Sequence, residues 1–424
     1  MSKFSTKRIN QQNLPESDTG TTVQELLQLT QGSPFREAIH EVLEINTIGQ
    51  DPIEIPGAAT LVAAVDAESQ KFLKFDIRSN FEDLKFTYLH DENAIEFSFT
   101  NWVKIDFPNE VSEEIKAALQ GVEQIDATPI YSAQTSLFDK LFNFDKYANG
   151  LIKKGFSGVV LANLEMLERI YREQGTELPA HVHRYRMLRD EEDGKYYFRA
   201  LISADRYKDY NIGVSVFIAL VALHQIMKET GDRYAVKYFE YTESFINAQF
   251  ENTIEKEIPG LGTVRFVVEL SNSETTRGAV KLTGLCSVVS TEGESRAEVS
   301  IRNKFQSPIL SISHGHGPTT AVGRMAVRDQ LKMVQDEMFE DLSAINASRE
   351  PGYLLQVFRS KIKNGRTLDP NRKKQLTQML EQTVNNFHQL LVMMDRAETL
   401  VEEDDVDAKE YLRYVMYTVL KDGK

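Results

Sequence analysis

The sequence is poor in cysteine, since Cys286 is the only one among its 424 residues. A lone cysteine excludes an intramolecular disulfide and is typical of proteins from a reducing compartment such as the cytoplasm. Long hydrophobic runs are also missing, because no stretch reaches the roughly 18 consecutive apolar residues of a membrane span. The first residues, MSKFSTKRIN, lack the apolar core of a secretory signal. We therefore predict a cytoplasmic protein that has no membrane partner.

Positive charge is scarce as well, because 49 lysines and arginines stand against 63 aspartates and glutamates, which gives a net charge of −14. This balance argues against a protein that coats duplex DNA with its whole surface. It remains compatible with a local basic groove on an acidic body. The other proportions, 41% hydrophobic and 26% charged residues, are those of an ordinary globular chain with one large domain or two to three smaller ones.

The pattern of apolar residues predicts an α+β fold with antiparallel sheets, packed helices and a C-terminal helical segment. Four segments are predicted as strands: TLVAAVD from Thr60, FLKFDIRS from Phe72, LKFTYLH from Leu84 and AIEFSFTNWVKI from Ala94. We predict a disordered arm over residues 1–20, an N-terminal α+β domain over 21–178, a central sheet-rich domain over 179–320 and helices over 321–424.

A long amphipathic helix is predicted from Asn371 to Val401. Its apolar residues recur at spacings of three and four, from Leu376 through Met379 and Phe387 to Met394. This stripe is typical of a buried core, and the alternative is a surface for self-association.

The most distinctive cluster mixes cations with aromatic rings. A hairpin is predicted with its turn at Asp193-Gly194, and alternation along its arms places cations and rings on shared faces. Such a face suits single-stranded nucleic acid, because cations meet phosphates and rings stack on bases. The candidate residues here are Arg184, Arg186, Tyr197, Arg199, Arg206, Tyr207 and Lys208. The alternative is a solvated strand face whose arginines pair with nearby acidic residues such as Glu191 and Glu192.

A second basic run follows, between Arg359 and Lys374. Its candidate phosphate contacts are Lys361, Lys363, Arg366, Arg372, Lys373 and Lys374. These residues are equally suited to pairing with the acidic stretch Glu402 to Glu410, within one molecule or between subunits.

Histidines occur as two His-x-His pairs, His181 with His183 and His314 with His316. Four imidazoles would suit a transition metal if the pairs met in space. Gly315, Gly317, Thr319 and Thr320 offer a second interpretation, a nest of backbone amides that holds an anion. A plain structural turn is the third. Cys286 lies in an apolar run and is interpreted as a buried structural thiol. No cofactor is predicted.

Three short blocks together resemble one protein family: FRALISADRYKDYN from Phe198, NSETTRGAVKLTGLCSVV from Asn272 and ISHGH from Ile312. They are similar to an uncharacterised family of phage- and plasmid-borne proteins, often labelled phage/plasmid-like proteins. The chain departs from that family after Cys286, where SVVSTEGES replaces an Asn-Gly, and at His-Gly-His, where the family tends to show His-Thr. The resemblance implies an origin in a mobile element and supplies no activity.

From these observations we predict a non-enzymatic accessory protein of phage or plasmid DNA metabolism. It would bind single-stranded nucleic acid, form a homo-oligomer and contact phage or host replication or transcription proteins, in the host cytoplasm if phage-encoded. One alternative is a structural or assembly protein of a virus particle. The other is a metal-dependent hydrolase that uses the two histidine pairs.

Overall fold

The computed structural model of the chain describes residues 4–15, 18–33, 35–89, 94–105, 117–173, 183–202, 207–275, 279–303, 308–315, 327–344, 349–401 and 406–423. In these residues the fold is α+β, as the sequence predicts, with antiparallel sheets, packed helices and a C-terminal helical segment.

The strands of the described residues form two seven-stranded sheets and one two-stranded sheet. They are β1 Lys7–Asn10, β2 Thr21–Thr22, β3 Pro52–Ile53, β4 Phe72–Ser79, β5 Leu84–Leu89, β6 Ala94–Thr100, β7 Val103–Ile105, β8 Gln124–Pro129, β9 His183–Asp190, β10 Tyr196–Ile202, β11 Tyr234–Tyr241, β12 Phe245–Ile258, β13 Gly262–Ser273, β14 Ala279–Glu292, β15 Ser295–Ile301 and β16 Leu310–Ser313.

In the order of the sequence, the helices lie either between strands or after the last strand, at the end of the chain. They are α1 Val23–Leu26, α2 Arg36–Val42, α3 Ile45–Ile48, α4 Ala58–Ser69, α5 Ala133–Phe142, α6 Asp145–Ile152, α7 Ser157–Glu173, α8 Ile212–Thr230, α9 Val327–Ser343, α10 Pro351–Asn364, α11 Pro370–Met379, α12 Phe387–Thr399 and α13 Val406–Asp422.

The first sheet has the strand order β5-β6-β8-β10-β9-β4-β7. All its pairs are antiparallel except β8 with β10, which is parallel. Helices α5, α6 and α7 pack on it, and its core is rich in aromatic rings. Phe99, Tyr185 and Phe198 meet there with centroid distances of 4.8–6.1 Å, a spacing at which tilted and edge-to-face ring pairs add to the stabilisation from burial.

The second sheet has the order β1-β11-β12-β13-β14-β15, with β16 also paired to β14. Helix α8 packs against β13. This helix has the length and composition of a membrane span, but every residue from Val214 to His224 is buried inside the protein. A helix that is apolar on all sides is expected where a large fold surrounds it, so α8 is the central core helix of this fold.

The C-terminal helices belong to the same core. Leu390, Leu391 and Met394 of α12 are buried against the second sheet. The stripe predicted from Met379 to Met394 is therefore core, which was its first interpretation, and it offers no free surface for self-association. The predicted single helix is divided into α11 and α12, because Asn386 caps a new helix by accepting from the backbone N–H of Gln389 at 2.8 Å.

Three further expectations differ from the structure. The segment TLVAAVD forms helix α4 and not a strand, because Leu61, Val62 and Val65 all reach the core at helical spacing. Within the predicted disordered arm, Lys7–Asn10 forms β1 and pairs with β11. The hairpin β9–β10 forms as predicted, but it lies in the middle of the first sheet and not in a separate central domain, since β9 also pairs with β4.

Candidate nucleic-acid interface

The predicted arginine cluster exists, and it lies between the two large sheets. Arg184 and Arg186 are on β9 and Arg199 is on β10. Alternation along β9 sends Tyr185 and Met187 into the aromatic core and the arginines to the opposite side. Their exposed fractions are only 4%, 1% and 1%, so all three guanidinium groups are inside the protein.

Carboxylates neutralise Arg184 and Arg186 of β9. Arg184 Nε donates to Asp76 Oδ2 at 2.6 Å, and Arg186 Nε lies 3.3 Å from Asp76 Oδ1. Arg186 Nη2 also donates to Asp209 Oδ2 at 2.8 Å. Asp76 is itself 1% exposed. Paired and hydrogen-bonded charges of this kind are the form in which ions are tolerated in a protein interior.

Glu274 holds the third arginine and connects the two sheets. Its carboxylate accepts from Arg199 Nη1 at 2.6 Å, from Lys74 Nζ of β4 at 3.0 Å and from the backbone N–H of Ile212 at 3.0 Å. Burial opposes the ionisation of Glu274, but the charges of Lys74, Arg199 and Arg186 outweigh burial and hold its pKa well below its usual range. Glu274 therefore also caps the first turn of α8 with a negative charge, which the helix dipole favours.

The aromatic members of the cluster are engaged as well. The Arg186 guanidinium lies 4.8 Å from the centre of the Tyr207 ring and donates to its hydroxyl at 2.8 Å. Tyr197 is half-buried, and its ring meets Phe4 edge-on at 4.7 Å. Lys208 is half-buried, and its backbone N–H donates to the carbonyl of His314 at 2.6 Å. The candidate Arg206 lies outside the described residues.

The open groove expected from Arg184, Arg186 and Arg199 is not what the described residues form. A phosphate would have to replace Asp76 and Glu274, and both are buried where that exchange would leave uncompensated charges. In this conformation the three arginines join the two sheets and are not accessible to nucleic acid. The expectation failed because Asp76 and Glu274, the buried carboxylates, are more than 70 residues away in sequence from the arginines with which they pair.

The histidines do not provide a metal site within the described part of the chain, where no cluster of three potential ligands occurs. His181 and His316 lie outside the described residues, and His183 is at the start of β9. The two ring nitrogens of His314 contact the carbonyl of Lys208 at 2.9 Å and Asn272 Oδ1 at 3.2 Å. Burial lowers the pKa of His314, and its ring stacks on Tyr207 at 4.8 Å. His314 thus has a structural role, in which its ring joins Lys208, Asn272 and Tyr207.

Two smaller expectations concern an anion nest and the thiol. Of the nest, Gly315 is described, and its backbone N–H donates to Ser313 Oγ at 3.2 Å. Gly317, Thr319 and Thr320 lie outside the described residues. Cys286 is fully buried on β14, and burial raises the pKa of its thiol. This placement agrees with the predicted structural role.

The basic run lies on two of the C-terminal helices and is partly exposed. We call α10, α11 and the turn between them, residues 351–379, the basic helical hairpin. Lys361 and Lys363 lie in the last turn of α10, Arg366 lies in the connecting turn, and Lys373 and Lys374 lie near the start of α11. Among the residues that the structure describes, none of these five forms an ion pair with a carboxylate. Lys363, Arg366 and Lys374 are exposed.

The other two cations of this run bind the protein itself. Arg359 pairs with Glu381 and donates to the carbonyl of Thr377 at 3.0 Å. Arg372, which was a candidate for phosphate contact, donates to the carbonyl of Leu400. These bonds fasten α10 to α11 and α11 to the end of α12, so the remaining cations project from a fixed support.

The turn of the basic helical hairpin is held closely to α13. The Tyr411 hydroxyl donates to the carbonyl of Lys361 at 2.8 Å. A Cβ atom at Gly365 would lie 2.0 Å from that hydroxyl oxygen, so only glycine fits there. Asp369 caps α11 by accepting from the backbone N–H groups of Asn371 and Arg372 at 2.9 and 3.0 Å.

The charges of α11 oppose its dipole. Arg372 and Lys373 occupy the first turn and Lys374 follows it, near the end of the helix where the partial charge is already positive and cations are unfavourable. Asp369 offsets only one of them. A local arrangement that opposes stability marks a position where a ligand, here an anion, is a candidate.

Sequence reasoning missed a third group of charged residues, on the polar side of the second sheet. Arg8, Lys237, Arg265, Lys409 and Arg413 meet there around an open cavity. Alternating polar residues in β11 to β13 were the signal in the sequence, but the residues of α12 and α13 that complete the cavity are more than 100 positions further on.

Comparisons with known proteins do not assign the chain to a family. No family model matches the chain, no curated protein matches it in sequence, and no solved structure matches its fold.

Proposed function

We propose that the chain binds single-stranded nucleic acid on the basic helical hairpin and not on the central β9–β10 hairpin. The observation that carries this proposal is the set of five cations on α10, α11 and their turn that have no carboxylate partner among the described residues. Elsewhere in the molecule many arginines and lysines are paired, as Arg184, Arg199 and Lys74 are.

The acidic character of the whole chain does not oppose local binding. At about 0.1 M salt the charges of exposed groups are screened beyond about 10 Å. A phosphate on the basic helical hairpin therefore responds chiefly to the cations around it. The negative remainder of the surface restricts the strand to this one region, which suits a protein that binds a polyanion without being coated by it.

An exposed ring on the same hairpin favours single strands over duplexes. Tyr353 lies in the first turn of α10 and is 58% exposed. An aromatic ring can stack on an unpaired base, and each such contact contributes about 1–3 kcal/mol. In a duplex the bases are stacked on one another and offer no free face to Tyr353.

The biological setting is proposed from the sequence. The resemblance to phage- and plasmid-borne proteins supports an accessory role in the DNA metabolism of a mobile element, with phage or host replication or transcription proteins as further partners. The lone buried Cys286 suits a reducing cytoplasm. The helical stripe from which homo-oligomerisation was predicted is buried and does not support it. Homo-oligomerisation therefore remains a prediction.

The test is fluorescence anisotropy with a labelled single strand of about 20 nucleotides, at about 50 and about 200 mM salt. We expect the wild-type chain to bind more tightly at the lower salt concentration. The variant Lys363→Gln/Arg366→Gln/Lys374→Gln should lose up to three phosphate contacts. Each contact contributes about −0.7 to the slope of log K against log salt, so the slope should become shallower by about 2.

The matched control is Lys85→Gln/Lys153→Gln/Lys154→Gln, which removes three exposed lysines of the first sheet and its helices and has the same net charge. It should bind like the wild type. Absence of wild-type binding at the lower salt concentration would reject the proposed function. Equal losses in both triple variants would show that only net charge matters, and would reject the basic helical hairpin as the interface.

A further inference from the structure

Helices α6 and α7 carry a concentration of exposed apolar side chains. Within the described part of the chain, ten large apolar or aromatic side chains are exposed, and five of them lie in this one short stretch: Tyr147, Phe156, Val159, Met166 and Ile170. Single exposed apolar residues are normal on a protein surface, whereas a group of them in one region marks a site of contact with another molecule.

On α7 the exposed apolar residues form a stripe. They are spaced by three and four residues, so they lie on one side of the helix: Val159, Ala162, Met166 and Ile170. The opposite side carries Val160 and Leu164, which are buried in the core of the first sheet. A surface helix normally has a polar side away from the core. Because α7 is apolar on both sides, its outward stripe is expected to be covered by a second layer of protein.

The width of the stripe fits one helix. Glu165 and Arg169 border it on one side and Asn163 on the other, as their positions along α7 dictate. A narrow apolar stripe between polar edges is typical of the seam between two packed helices. We call the stripe, together with Phe156 just before the helix, the α7 face. Phe156 and Met166 are its most exposed members, at 53% and 52%.

The two ends of the α7 face carry opposite charges. Lys153 and Lys154 are exposed in the turn before α7, and among the described residues neither pairs with a carboxylate. Glu173 is exposed at the other end of α7, where the helix dipole is also negative. Its contact with Arg169 is 3.9 Å long, and both side chains lie mostly in solvent, where such a pair contributes little and is easily exchanged.

A second copy of the chain has the matching shape and charge. If two α7 helices pack antiparallel about a twofold axis, Val159 of one copy lies opposite Ile170 of the other, and Ala162 lies opposite Met166. Lys153 and Lys154 of each copy then lie close to Glu173 and the negative end of the other helix. A parallel arrangement would place the lysines of both copies side by side, which is unfavourable.

We propose that the chain forms a twofold-symmetric dimer by antiparallel packing of its α7 faces. With 17 residues, α7 is about 25 Å long. One helix from each copy gives a contact that is small beside the roughly 800 Å² per partner of a stable interface. The dimer therefore dissociates as the chain is diluted. The α7 face and the basic helical hairpin are on different helices, so the two proposals succeed or fail independently.

Sedimentation equilibrium of the full chain, from about 1 to about 100 µM, tests the proposal. We expect the average mass to rise with concentration from that of one chain to that of two. Met166→Glu/Ile170→Glu should weaken dimerisation at least tenfold, because it places four carboxylates in the seam. A wild-type chain that stays monomeric at the highest concentration, or that forms assemblies larger than a dimer, would overturn the proposal.

The matched control is Ile254→Glu/Met333→Glu, which makes the same two changes at exposed residues outside the α7 face. It should dimerise like the wild type, and equal losses in both variants would overturn the assignment to α7. Thermal unfolding of dilute samples confirms that each variant is folded. Strand binding by Met166→Glu/Ile170→Glu should be unchanged, which separates this proposal from the proposed function.

Reversal of the end charges tests the antiparallel arrangement. Lys153→Glu/Lys154→Glu and Glu173→Lys should each dimerise more weakly than the wild type, because like charges then meet at both ends of the seam. An equimolar mixture of the two variants should regain dimers, because opposite charges meet again at both ends. A mixture that dimerises no better than the separate variants would contradict the antiparallel packing.

Discussion

Replacing Glu274 by glutamine should destabilise the contact between the two large sheets more than any exposed change. The carboxylate is fully buried and accepts from Arg199, Lys74 and the first turn of α8. The amide keeps the volume but removes the negative charge, which leaves two cations without their shared partner. Arg199 Nε and Nη2 make no hydrogen bond to a described residue. Among the described residues, Glu274 is therefore the only ion-pair partner of Arg199.

The magnitude follows from the burial of the pair. Removing one partner of a buried ion pair costs about 3–5 kcal/mol, since the remaining charge stays desolvated. The free energy of unfolding can be measured by urea denaturation of the full chain, followed by circular dichroism. The matched control is Glu294→Gln, the same substitution at an exposed residue beside the β14–β15 turn, which should change the value by no more than about 0.5 kcal/mol.

The effect should depend on pH with a definite sign. The folded pKa of Glu274 is depressed, so its stabilisation is present above the ordinary value of 4.5 and is lost as the pH falls toward the folded value. The difference between wild type and Glu274→Gln should be full at neutral pH and should shrink below about pH 4.5. A difference at neutral pH no larger than that of Glu294→Gln would refute the reasoning.

The remaining predictions concern the thiol, the hairpin turn and the exposed ring. Cys286 should resist alkylation in the native protein and react fully in denaturant, as mass spectrometry would show, because the thiol is fully buried with a raised pKa; rapid native labelling would contradict its placement on β14. Gly365→Ala should lower the melting temperature and weaken strand binding, since its Cβ would collide with the Tyr411 hydroxyl. The matched control Gly150→Ala, at an open position of α6, should leave strand binding unchanged. Tyr353→Ala should weaken single-strand binding by about 1–3 kcal/mol and leave duplex binding unchanged, as competition anisotropy would show.

Local patterns in the sequence predicted much of the fold. The hairpin β9–β10 carries its own turn at Asp193-Gly194, and α8 has a long apolar stretch capped by Asn211. Both elements form where their own residues indicate. In contrast, TLVAAVD is too short and too apolar for its period to separate a strand from a buried helix, and contacts with α8 and β11 decide for helix α4.

Non-local pairing explains the larger errors. The domain boundary at residue 178 fails because β9 pairs with β4, where Phe72 lies opposite Asp190. The burial of the arginines could not be predicted for a similar reason, because Asp76 and Glu274 are distant from them in sequence. The charge and spacing of the arginines are equally suitable for a solvent-exposed face. The basic helical hairpin was found because its cations are close together in sequence. The open cavity on the polar side of the second sheet was not found, because seven separate strands and helices build it.

The most direct test of the central claim is to find where a bound strand touches the protein. A labelled single strand can be crosslinked to the wild-type chain by ultraviolet light at about 50 mM salt, and the modified peptides can be identified by mass spectrometry. The account predicts crosslinks within residues 351–379, with Tyr353 among the modified residues. Crosslinks confined to peptides that contain Arg184, Arg186 or Arg199 would contradict it.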